Sequence, residues 1–96
     1  MRVTNSDVQT IKEVVLKYIS DATIILFGSR VDDAKKGGDI DLFVKTEMNI
    51  TLQQKIKILT EMELKGIMRK VDLLIKTPSS QEQSIFKTAE KEGVVL

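Results

Sequence analysis

The sequence predicts an α/β fold of the α+β, mixed-sheet kind, with three to four strands flanked by about three helices. Three observations carry this. Short runs rich in β-branched and aromatic residues, Thr23–Phe27, Asp39–Val44 and Lys70–Lys76, read as strands. Stretches with apolar residues at helical spacing, each opened by a capping-box pattern, stand between and around them. The order strand, helix, strand from residue 39 to residue 76 predicts a parallel pair joined by a right-handed crossover. At 96 residues the chain is expected to form one domain, residues 1–96. A domain of this size is marginal alone, so homo- or hetero-oligomerisation is expected.

Residues 6–20 read as an amphipathic helix. Ser6 and Gln9 make its capping box, and Val8, Ile11, Val15, Tyr18 and Ile19 share a face. Glu13 and Lys17 lie opposite as an i, i+4 pair. Tyr18 reads as a half-buried core residue, and Asp21 begins the turn into the first strand. That strand, Thr23–Phe27, is nearly continuously apolar, as a central strand covered on both faces would be. Gly28-Ser29 ends it. Residues 30–38 form a polar loop in which Asp32 and Asp33 read as loop carboxylates or caps.

A second helix is predicted over Thr51–Lys65, with Thr51 and Gln54 as its capping box and Gly66 as its stop. Leu52, Ile56 and Leu59 are its expected buried stripe, with Ile58 and Leu64 off it. Glu63 falls on the stripe, which leaves two readings: it sits at a frayed end, or it faces a cleft. Thr77-Pro78 closes the third strand. Ser79 and Glu82 open a helix over Ser80–Glu92 with Ile85, Phe86 and Ala89 inward and Gly93 as cap. Val94–Leu96 is read as a short edge strand.

Composition removes several chemistries. There is no cysteine, hence no disulfide framework and no thiolate metal site. There is no histidine, which excludes a Ser-His-Asp triad and imidazole ligation. Fifteen basic and 14 acidic residues give a net charge of +1, so direct nucleic-acid binding is not indicated. No apolar run approaches the roughly 20 residues of a membrane-spanning helix, and the N-terminus lacks a signal-peptide core. A cytoplasmic location is the expectation.

The chemistry gathers in residues 23–44. Side chains at i and i+2 of a strand share a face, so Asp39 and Asp41 stand side by side. Two like charges call for a cation between them, and hard oxygen donors suit Mg²⁺. Gly28 lets the backbone approach a ligand, and Ser29 offers a hydroxyl and an N–H. Together they suit a nucleoside triphosphate held by metal. Arg30 is the better placed of the loop cations to reach phosphate; Lys35 and Lys36 read equally as solvated charges. Asp72 interrupts an apolar strand. It is read either as a buried carboxylate needing a partner or as an edge charge paired with a nearby Lys or Arg.

Gly28-Ser29, then Asp39-x-Asp41, then Asp72 within Val71–Ile75 resembles the DNA polymerase beta-type nucleotidyltransferase superfamily. It is most similar to the minimal nucleotidyltransferase (MNT) family of HEPN/MNT toxin–antitoxin systems, and the resemblance runs from about the first helix to the C-terminus. It implies a palm-like core and a nucleotidyltransferase enzyme. It implies Asp39, Asp41 and Asp72 as catalytic and metal-binding residues for Mg²⁺, two ions in the full site. Gly28, Ser29 and Arg30 would bind the nucleotide, with ATP as donor. The MNT likeness further implies an antitoxin that transfers AMP to a tyrosine of a HEPN ribonuclease toxin. The alternatives are a small-molecule, aminoglycoside-type nucleotidyltransferase completed by a partner subunit, and a non-catalytic antitoxin that acts by binding alone.

Overall fold

The computed structural model describes residues 4–27, 40–80 and 84–96, the side chains of Ser84 and Ile85 excepted. The described elements are α1 (Asn5–Tyr18), β1 (Thr23–Phe27), β2 (Ile40–Lys45), α2 (Leu52–Leu64), β3 (Val71–Lys76), α3 (Ser84–Glu92) and β4 (Val94–Val95). The strands form one mixed sheet in the order β3-β2-β1-β4. β1 pairs antiparallel with β2 and with β4. β2 and β3 pair in parallel through α2, as the strand–helix–strand order predicts.

Side-chain alternation gives the sheet two different faces. Ile24, Ile40, Leu42, Val44 and Leu73 point to one face. There they pack with Ile11, Val14, Val15 and Ile19 from α1 and its end and with Ile58 and Met62 of α2. The other face carries Ile25 and Phe43 under Phe86 and Ala89 of α3. The Phe43 and Phe86 rings stack with centroids 5.3 Å apart, an arrangement worth about 0.5–1.5 kcal/mol beyond the area it buries.

The N-terminal cap differs from the expected Ser6–Gln9 box. Thr4, two residues earlier in the chain, is the cap, and its Oγ1 accepts from Asp7 N at 3.0 Å. At α2 the expected box is present: Thr51 Oγ1 accepts from Gln54 N, and Gln54 Oε1 accepts from Thr51 N. Gly66 follows with φ of 108°, a conformation glycine adopts without steric cost. At the expected Ser79–Glu82 box, Glu82 lies outside the described residues. So does the Ile85 side chain.

The buried stripe of α2 is not Leu52, Ile56 and Leu59. Ile58 and Met62 are fully buried and Leu59 only partly, while Leu52 is 71% and Ile56 52% exposed. The helix is apolar on several sides, so periodicity alone admits either rotation about its axis. A polar clasp with α1 accompanies the observed rotation. Glu61 accepts from Tyr18 Oη at 2.7 Å and from Lys17 Nζ at 3.1 Å. Lys17 thus reaches across to α2 instead of pairing with Glu13. Tyr18 is half-buried, as expected. A second tie holds the far end of the sheet: Asp21 accepts from the Thr46 hydroxyl and, at 2.8 Å, from Glu47 N.

The C-terminus is docked. Leu96 N donates to Ile24 O at 2.9 Å, and Gly93 N donates to Ala89 O at 2.8 Å. A Cβ on Gly93 would overlap Ile25 Cγ2 and the Ala89 carbonyl. Gly93→Ala is therefore expected to destabilise the fold by about 1–3 kcal/mol through overpacking, read as a lower urea midpoint.

The two carboxylate ties set an acid limit. The Thr46 hydroxyl and then the Glu47 N–H hold Asp21 below the usual carboxylate range. The Tyr18 hydroxyl and then Lys17 do the same for Glu61. A folded-state pKa below the unfolded one gives stability that is present above the unfolded value and lost as pH falls through the folded one. The unfolding midpoint should therefore drop from about pH 4 downward. A double variant, Asp21→Asn with Glu61→Gln, should show a weaker dependence over the same range.

Candidate active site

The strand registers compose the site. Phe27 is opposite Asp41 across β1 and β2, and Asp41 is opposite Asp72 across β2 and β3. These three side chains form one row on the α3 face of the sheet. The next row is Ile25, Phe43 and Leu74, and the one after is Thr23, Lys45 and Lys76. The face thus runs from an acidic row, through an apolar row under α3, to a basic row. In the basic row Lys45 pairs with Glu90 at 3.2 Å, and Lys76 Nζ stands 5.7 Å from the Phe86 ring centroid.

Of the sequence-predicted residues, Asp41 and Asp72 are brought together, and neither sits in the apolar core. Asp39, Gly28, Ser29 and Arg30 lie outside the described residues, as do Asp32, Asp33, Lys35 and Lys36. Asp72 is not a buried carboxylate. Its side chain is 50% exposed, because β3 is an outer strand of the sheet. Lys70 Nζ approaches Asp72 Oδ1 at 3.7 Å, so the edge-pair reading of this aspartate holds in the structure. The pair is exposed and contributes little to stability.

Neighbouring strands run about 4.8 Å apart, so directly opposed carboxylates repel unless a cation stands with them. Lys70 answers that demand at Asp72. A hard divalent cation fits the same donors, for Mg²⁺ is commonly held by one or two carboxylates with the rest of its shell from water and substrate phosphates. Among the described residues no group of three or more acidic side chains gathers for a metal, so the described donors are these two. Phe27 and Lys70 were not singled out from the sequence. Phe27 directly precedes Gly28, and Lys70 lies two residues before Asp72, hence on its face; those spacings were the available signals.

Two clefts flank β3. One, of about 480 Å³, includes Phe27, Lys70, Asp72 and Leu74 in its lining. The other, of about 300 Å³, includes Met62, Glu63, Arg69 and Lys70. Glu63 is exposed in the last turn of α2 and faces this second cleft, which settles the anomaly in its periodicity.

The described residues thus form a helix-flanked mixed sheet with Asp41 and Asp72 opposed on neighbouring strands. The family model for "Polymerase beta, Nucleotidyltransferase" matches residues 9–96, and the chain belongs to that family. It is a nucleotidyltransferase. A search of curated proteins finds no match. No helix among the described residues is long and apolar enough to cross a membrane.

The opposed carboxylates make a thermal prediction. Mn²⁺ or Mg²⁺ should raise the unfolding midpoint of the native chain, since a ligand bound to the folded state stabilises it. Asp41→Asn should lose most of that shift.

Proposed function

We propose that the chain is the antitoxin enzyme of a HEPN/MNT pair, transferring AMP from ATP to a tyrosine of the HEPN ribonuclease. The observation that carries this is the row Phe27, Asp41, Asp72 in a chain whose family transfers nucleotidyl groups. In this reading Asp41, with Asp39, holds the triphosphate through Mg²⁺. Gly28, Ser29 and Arg30 take the phosphate oxygens. Bound Mg²⁺, two ions in the full site, supplies charge neutralisation at the attacking and leaving oxygens.

The remaining work belongs to the protein. Asp72 stands at the sheet margin, where an acceptor can reach it from solvent. It orients the tyrosine hydroxyl and receives its proton, which passes on to water. The tyrosine oxygen forms a bond to the α-phosphorus while the bond from that phosphorus to the pyrophosphate oxygen breaks. Pyrophosphate departs with the electron pair, and no covalent enzyme intermediate is needed. A protein acceptor is supported by the exposed position of Asp72 beside an open cleft.

The test uses labelled ATP, Mg²⁺ and the HEPN protein encoded beside this chain. Label should appear on the partner, and Asp41→Asn should reduce it by about 100-fold or more, as when a charge-stabilising group is removed. A tight complex that silences the ribonuclease without label would establish inhibition by binding alone.

A further inference from the structure

β3 lies at the outer margin of the sheet, away from β4. Ile40 N donates to Lys70 O, and Thr46 N donates to Lys76 O. In a parallel ladder, a residue that pairs with its neighbour turns both its N–H and its C=O that way, and successive residues alternate sides. The even-numbered residues of β3 therefore face β2. Val71, Leu73 and Ile75 turn their N–H and C=O groups outward. The cleft of about 480 Å³ touches every residue from Lys70 to Leu74, together with Lys55 and Leu59 of α2 and Phe27 of β1. Side chains alternate between faces, so a cleft that touches consecutive residues reaches both faces of β3.

We propose that this edge is a docking strip for an extended acidic segment of the acceptor protein. The segment adds to the sheet as a further strand and carries its hydroxyl to Asp72. The inference rests on the reading of the acceptor as a protein. Open strand edges bind peptides through main-chain hydrogen bonds, with side chains giving selectivity.

Charge selects the occupant. Lys55 and Lys70 both line the cleft, and Lys70, largely exposed and 3.7 Å from Asp72, can turn from that weak pair to a carboxylate on the segment. Lysines on an edge repel ordinary strand pairing but attract a strand that bears carboxylates. A second copy of this chain pairing antiparallel about Leu73 would set Lys70 against Lys76, and like charges across strands are destabilising. Register then specifies a pattern. The residue opposite Asp72 shares its face. Two residues away on one side the segment meets Lys70, and two away on the other it meets Leu74. The recognised pattern is acid-x-hydroxyl-x-apolar, in one chain direction or the other.

The experiment passes a pool of peptides, with tyrosine fixed at the centre and other positions randomised, over the immobilised protein. Retained peptides should be enriched in Asp or Glu two residues to one side of the tyrosine and in apolar residues two to the other. Lys70→Glu should turn the acidic preference into one for Lys or Arg. With the best peptide bound, amide exchange at Val71, Leu73 and Ile75 should slow by about tenfold or more as those groups gain partners. N-methylating every second peptide residue, in one of the two phases, should remove binding. No enrichment, unchanged exchange at these three amides, or binding indifferent to both N-methylated forms overturns the proposal. So does a dimer that closes this edge in sedimentation. The two readings fail separately. Docking as described without AMP on the peptide tyrosine, in the presence of ATP and Mg²⁺, counts against the transfer reading. Label on an intact partner without edge protection counts against the docking strip alone.

Discussion

β2 has a neighbour on each side, and the registers of those two pairings govern everything built on this sheet. Phe27, Asp41 and Asp72 fall in one row only because both are as they are. The side-chain period of a strand is two, so a slip of one residue in β2 would exchange its faces. Asp41 would then point among Ile11, Val14, Ile58 and Met62, where a charge without a partner is severely costly. The apolar side chains of Ile40, Leu42 and Val44, all fully buried, thus hold the carboxylates in position by making every other register worse. The hydrophobic core acts as the alignment device of the site.

The rest of the molecule can be understood as support for that strand. α1 and α2 cover its inner face and are tied together at Glu61. α3 covers the middle of the other face through Phe43, and Phe27 of the acidic row packs against the same cluster. β4 occupies the outer edge of β1. Among the described residues, cover is closest over the apolar rows and thinnest at Asp72 on the outer strand.

Much of this was legible in the chain. The three principal strands, the Thr51–Gln54 box, the stop at Gly66, the parallel pairing and the terminal edge strand are all local signals or follow from element order. Three features were not. The buried face of α2 was misassigned because Leu52, Ile56, Ile58, Leu59, Met62 and Leu64 wrap most of the helix, and the choice among them depends on the packing partner. Lys17, Tyr18 and Glu61 meet across two helices, and Asp21 meets Thr46 across the sheet; no short-range pattern announces either contact. The exposure of Asp72 depends on strand order, which residue periodicity does not encode. As for the site, the pairing of Asp41 with Asp72 matches the grouping expected from the sequence, while the phosphate-side residues Gly28, Ser29 and Arg30, with Asp39, lie outside the described residues.

The parallel arrangement of β2 and β3 has a consequence for the order of events during folding. Parallel neighbours cannot meet through a tight turn; the whole of α2 and its connections must be laid down first. Asp41 and Asp72 are far apart in the unfolded chain and feel one another only once the crossover has closed. The juxtaposition of the two carboxylates is thus a property of the finished molecule alone. A nascent or partly unfolded chain has no Asp41–Asp72 pair to offer a cation or a substrate.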